Sequence, residues 1–140
     1  MFDTYGLERI RAWREFRNSL ETSDNPLRDV AELWASAPFV NNYLVDYRPD
    51  EWPDPWQLIL ETDLDDLAIA LGMCYSIKLT KRFSTAVCEI HKSAHDKKDE
   101  RYFLSVDREH VLNLEYRDVA EYRAIEDYNP YLLWTCPLLR

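Results

Sequence analysis

Three cysteines, a short His/Cys series and a run of carboxylates are the side chains whose types and spacing could do chemistry in this 140-residue chain. Cys88, His91 and His95 come nearest to a zinc-ligand spacing, but Cys88 and His91 lie an odd number of residues apart and would face opposite sides of a strand. Cys88, His91 and Asp96 hold the types of a nucleophile set, yet a charged hairpin tip is a poor scaffold for one. Glu61, Asp63, Asp65 and Asp66 could offer oxygen ligands to a divalent ion, without the glycine and ligand spacing of an EF-hand loop. Negative charge at a helix start accounts for the run at less cost. Cys74, Cys88 and Cys136 are odd in number and form no C-x-x-C pair, the pattern of reduced, buried thiols rather than of a disulfide framework. Trp52, Pro53, Pro55 and Trp56 could offer aromatic faces to a proline-rich peptide or a sugar. Packing between a helical layer and a sheet is the simpler expectation.

The elements that must position these residues centre on residues 52 to 79. Asp54 is a good N-cap, Pro55 fits the first helical position and Gln57 closes a D-x-x-Q capping box, so a short helix is expected from Pro55 to about Glu61. Thr62 or Asp63 is expected to cap a second helix, with Asp63, Asp65 and Asp66 in its first turn and Leu64, Leu67, Leu71 and Tyr75 on its apolar face. After Gly72, Tyr75, Ile77 and Leu79 alternate with Ser76, Lys78 and Thr80, which predicts a strand over 75–80.

Upstream, Leu7, Ile10, Trp13, Phe16 and Leu20 predict an amphipathic helix over residues 4 to 21, its arginines on a solvated surface. Asn25 and Pro26 start a second helix that carries Leu27, Val30, Leu33 and Trp34 and ends near Pro38, so 1–38 reads as a helical pair. Downstream, strands are expected over Thr85–Lys92, Arg101–Val106 and His110–Tyr116, with SAHDKKDE as a charged hairpin tip and VDREH as a tight turn. Helices first and strands second predict a single α+β domain, its helices packed on an antiparallel meander covered on one face. The tail is left open. Residues 128–140 hold Tyr131, Leu132, Leu133, Trp134, Leu138 and Leu139 near a free end, as either a buried return strand or a partner-docking segment.

Composition excludes several function classes. A formal net charge of -9 disfavours nucleic acid, whose phosphates are bound by clustered lysine and arginine. No apolar run reaches the roughly 18–20 residues of a spanning helix, and the N-terminus has no signal-peptide core, so a soluble chain with no membrane partner, made in a cytosol, is expected. No cofactor is implied.

Two resemblances add to this. TDLDDLAIALG is similar to the helix start of transglutaminase-like and papain-like domains, where a cysteine is the nucleophile. In that comparison Leu64 stands at the cysteine, Thr85 or Ser84 of TAVCEI at the histidine, and Asp107 of YFLSVD at the third member. The resemblance implies a degenerate, non-catalytic core, since leucine cannot attack a carbonyl and the position matched to the base holds no imidazole. The second covers more of the chain. WREFRNSLETSDNPLRDVAELW, WPDPWQLI, LGMCYSIKLT and VLNLEYRDV resemble a small conserved virion-associated protein of tailed, T4-like bacteriophages of marine bacteria. It implies a non-enzymatic structural or assembly protein of the neck, tail or baseplate, found in the virion, with other phage structural proteins as partners in a symmetric multicopy assembly. The alternatives are a cysteine-peptidase-like hydrolase or acyl-transfer enzyme using Cys74 or Cys88, and a small acidic inhibitor of a host protein.

Overall fold

The computed structural model describes residues 1–41, 44–94 and 100–139. Two helices come first, α1 (Gly6–Leu20) and α2 (Pro26–Trp34), followed by the short α3 (Pro55–Ile59) and the central α4 (Asp66–Lys78). Five antiparallel strands follow, β1 (Cys88–Ser93), β2 (Tyr102–Val106), β3 (His110–Leu112), β4 (Ala120–Glu121) and β5 (Pro130–Thr135), in the order β4-β3-β2-β1-β5. This is the α+β arrangement the sequence predicts. No helix among the described residues is long and apolar enough to cross a membrane.

The capping box forms as expected: the Gln57 N–H donates to Asp54 Oδ1 at 2.8 Å and the Asp54 N–H donates to Gln57 Oε1 at 3.0 Å. The cap of α4 is displaced from the expectation. Asp65, not Thr62 or Asp63, is the N-cap, accepting the Ala68 N–H at 2.9 Å, and its second oxygen accepts the Leu44 N–H at 2.9 Å.

The strand expected over 75–80 is instead the second half of α4. Every residue from Leu67 to Lys78 is buried. A helix enclosed on all sides carries no polar stripe, so alternation is no guide there. The polar residues in it are tolerated because each has partners inside. Ser76 Oγ receives the indole N–H groups of Trp13 and Trp34, each at 2.9 Å, and donates to the Gly72 carbonyl at 2.9 Å. Gly72 does not end the helix; a Cβ there would lie 2.3 Å from Trp34 Cη2, so glycine is what lets α2 approach α4.

Two details of α1 also differ from the pattern. Leu7 is exposed, whereas Arg9, expected on the solvated face, is buried. In α2 Asn25 occupies the N-cap position without a side-chain cap bond.

The main core joins α1, α2, α3 and α4 to the inner face of the sheet, where Cys88, Ile90, Leu104, Val106 and Leu112 point. The outer face is not bare, as a one-sided sheet requires. A 3-10 segment, Tyr122–Tyr128, crosses it and closes a second cluster of Phe103, Val111 and Ile125. The outer strand beside β1 is β5, reached by way of β4 and that segment. Asp107 and Arg108 both hold left-handed backbone, with φ of 53° and 52°, in the turn between β2 and β3. Most of the hairpin tip, residues 95–99, lies outside the described residues.

Candidate functional site

The residues singled out by the sequence fall into four places, and their geometry separates them. The first is the start of α4. Asp66 Oδ2 accepts the Tyr102 N–H at 2.9 Å and Oδ1 accepts from Asn113 Nδ2 at 3.0 Å, so this carboxylate fastens the helix to β2 and to the end of β3. Burial pushes its pKa above the ordinary aspartate value, against the lowering effect of those two donors. Asp63 is exposed. The four carboxylates do not converge, and among the described residues no group of three His, Cys, Asp or Glu side chains is placed to hold a metal ion. Cys88 points into the main core and His91 toward the outer cluster, on opposite faces of β1 as their spacing requires. His95 and Asp96 lie outside the described residues.

The positions matched to a catalytic triad are far apart. Leu64 is buried just before the N-terminus of α4. Ser84 lies at the other end of that helix, where Lys78 Nζ donates to its carbonyl, and Thr85 follows it on the surface. Thirteen residues of helix, on the order of 20 Å at 1.5 Å per residue, stand between them. Asp107 sits at the far end with Thr85, its carboxylate accepting the Val87 N–H at 2.8 Å.

The third place joins His91 to Ser105, a residue the sequence does not single out. On the outer face of β1 and β2, His91 Nε2 lies 2.9 Å from Ser105 Oγ, the separation of a base and a hydroxyl nucleophile, with Glu89 on the same face. Both residues are buried, and the Tyr122 ring packs edge-on against the imidazole at 6.0 Å. Each finds a partner in the other, which satisfies two buried polar groups. Burial lowers the His91 pKa, the nearby Arg108 charge lowers it further and Glu89 partly offsets both, which keeps the ring neutral at pH 7.

Glu89 has a partner of its own. Arg108 Nε donates to Oε1 at 3.0 Å and Nη2 to Oε2 at 3.3 Å, holding the carboxyl below the ordinary glutamate value despite its burial. A carboxylate with a depressed folded pKa contributes stability above its unfolded value and loses it as pH falls through the folded one. Arg108→Ala is therefore expected to raise the Glu89 pKa and move the acid-unfolding midpoint to higher pH. A circular-dichroism titration of both proteins checks this; coincident midpoints would contradict it.

Comparison with known proteins assigns no further role. The chain matches no family model, no curated protein and no solved structure. The fourth place holds the remaining candidate surface.

That place is the C-terminal strand. β5 pairs antiparallel with β1, with a register shift between Ile90 and His91 that sets Trp134 opposite Ile90 and Leu132 opposite His91. It is thus a return strand, one of the two expected arrangements, but only partly buried. Trp134 and Leu133 pack on the main core, Trp134 edge-on to Trp52 at 5.3 Å, and Leu139 joins them. Tyr131 and Leu132 stay 47% and 48% exposed and Leu138 72%. The outer backbone edge of β5 has no neighbouring strand among the described residues. Natural sheets usually protect such an edge with charge, but residues 128 to 137 carry no charged side chain in a chain of net charge -9.

The aromatic quartet also resolves into packing. Trp52 donates to the Val45 carbonyl at 2.8 Å, and Pro53 accepts the Tyr75 hydroxyl at 2.8 Å. Trp56 rests on Trp13 and beside the Arg17 guanidinium, with one face in solvent.

Proposed function

We propose that this chain is a non-enzymatic structural or assembly protein of a tailed-phage particle, a component of its neck, tail or baseplate, and that it makes its contacts through β5 and the residues that follow. The observation that carries the contact surface is the free, uncharged edge of β5 with Tyr131, Leu132 and Leu138 in solvent. An unpaired edge offers main-chain donors and acceptors to a strand of another chain, and the side chains beside it add apolar area. The resemblance of WPDPWQLI and its flanking segments to a virion-associated protein supports the particle as the setting. Cys74 and Cys88 are fully buried, so neither thiol favours the hydrolase alternative.

Deleting the tail would be a poor test, because Trp134 and Leu139 are partly buried against the main core. Leu132→Lys with Leu138→Lys is the cleaner variant, since both side chains project into solvent. Surface changes of this kind usually shift stability by no more than about 0.5 kcal/mol. Incorporation into particles, measured by immunoblot of purified phage from complemented infections, is expected to fall at least about tenfold, equivalent to roughly 1.4 kcal/mol of lost contact. Wild-type incorporation of a folded double variant would refute this surface.

A further inference from the structure

Two arginines of α1 are accounted for neither by the core nor by the edge of β5. Arg14 and Arg17 lie three residues apart and are neighbours on one helix face. Arg14 is exposed and Arg17 half-buried. Ion pairing is the usual use of such residues, and partners abound in a chain with 26 Asp and Glu against 17 Lys and Arg. Neither arginine pairs with a carboxylate among the described residues. Helix spacing gives the reason. The residues three and four away from Arg14 are Ile10, Arg11, Arg17 and Asn18, none of them acidic. Arg17 has one acid at that spacing, Glu21, whose two oxygens instead accept the Lys81 and Arg82 N–H groups at 2.8 and 2.9 Å.

Arg17 is also held in place. Its guanidinium carbon lies 4.5 Å from the centre of the Trp13 ring and 5.3 Å from that of Trp56, in the corner where the two indoles meet edge to face at 72°. Among the described residues, its Nε is the only buried side-chain nitrogen or oxygen without a hydrogen-bond partner. The terminal nitrogens have no protein partner either, and they reach solvent. A guanidinium stacked on aromatic rings has given up part of its hydration and keeps its planar donor fork in one orientation. An anion gains more from such a group than from a mobile surface arginine, because the side chain is already ordered. The adjoining face of α3 is apolar, with Trp56 44% exposed and Leu60, one turn on, 43% exposed.

We propose that Arg14 and Arg17 of α1, with Trp56 and Leu60 of α3, form a second docking surface, one that takes an acidic segment of another protein. Carboxylates of that segment supply the counter-charge the two arginines lack, with the Arg17 fork accepting one of them side by side with its terminal donors. An apolar side chain of the segment covers the open face of Trp56. The charge balance favours a short acidic peptide over a nucleic acid. A polyanion extends its phosphates beyond the two arginines and meets a protein of net charge -9, whereas a peptide with two or three carboxylates meets only the local patch.

The test is an NMR titration of the isotope-labelled full chain, with a capped synthetic hexapeptide of alternating Glu and Leu as the probe. The expected result is a saturable shift of the Trp56 indole N–H and the Arg17 Nε–H signals, weaker at high salt and absent when Gln replaces Glu in the peptide. Arg17→Gln is expected to weaken binding at least about tenfold, as the loss of a charged hydrogen bond implies. Arg14→Gln, a change at an exposed position, should weaken it about threefold, a smaller loss of the same kind. The Leu132→Lys, Leu138→Lys double variant should bind the peptide as the unaltered protein does, which separates this surface from the β5 contact. The mapping on the unaltered protein needs no variant to fold. Neither signal moving at millimolar peptide, equal binding of the Gln peptide, loss of binding in the β5 double variant, or tighter binding of hexathymidylate at the same signals would overturn the proposal.

Discussion

Ser76→Ala is expected to destabilise the protein by about 2–6 kcal/mol, because two buried indole donors lose their only shared acceptor at roughly 1–3 kcal/mol each. The donors are Trp13 Nε1 on α1 and Trp34 Nε1 on α2, and the hydroxyl between them belongs to α4. One oxygen therefore coordinates three helices. Neither indole can turn to water, since both tryptophans are buried and Trp34 is pressed against Gly72. Urea unfolding should show a lower midpoint with an unchanged slope. In a Trp13→Phe background, where one donor is already gone, the cost of Ser76→Ala should shrink by about 1–3 kcal/mol. Equal costs in the two backgrounds would show that the indole bonds are not the cause.

Arg9→Met is expected to cost on the order of 3 kcal/mol, at the upper end for charged hydrogen bonds, because it strips the guanidinium from four carbonyl partners. Arg9 donates to Thr4 and Phe2 near the N-terminus, at 2.8 and 3.1 Å, and to Ile59 and Glu61 at the end of α3, at 3.3 and 2.7 Å. Its charge meets the negative end of that short helix and lies over the rings of Phe2 and Tyr5. Methionine keeps the apolar stem and removes every donor, so the loss should appear both in the unfolding midpoint and as faster proteolysis within residues 1–5. Arg9→Lys should recover only part, since three donors on one nitrogen cannot span four carbonyls held in a fork. A lysine variant as stable as the wild type would contradict this account.

How much of this was legible in the sequence depended on how local its cause is. The Asp54–Gln57 box involves neighbours three residues apart and is readable from residue types alone. So were α1, α2, β1 and β2, whose periods are strong. Residues 75–80 have the pattern of a strand because Ser76 and Lys78 alternate like the polar half of one, yet they are helical. Their partners, two indoles and two carbonyls, come from elsewhere in the chain. Arg9 misled for the same reason: its acceptors at 59 and 61 lie fifty residues away.

The sites follow the same division. Opposite faces for Cys88 and His91 follow from strand spacing. The meeting of His91 with Ser105 depends on the β1–β2 register, and the meeting of Cys88 with Cys136 depends on β5 returning to β1. The one local signal was that Glu89, His91, Phe103 and Ser105 alternate with core residues and so share a face. The partial exposure of the tail depends on the sheet order, which places β5 at an edge.

The central claim, a particle component that acts through protein contacts, is tested most directly by quantitative mass spectrometry of purified phage particles beside infected-cell lysate, with this chain measured against the major capsid protein. The account predicts a fixed, small copy number in the particle that matches a symmetric ring. Abundance in the lysate with absence from particles would contradict it and shift the weight to an inhibitor or an enzyme.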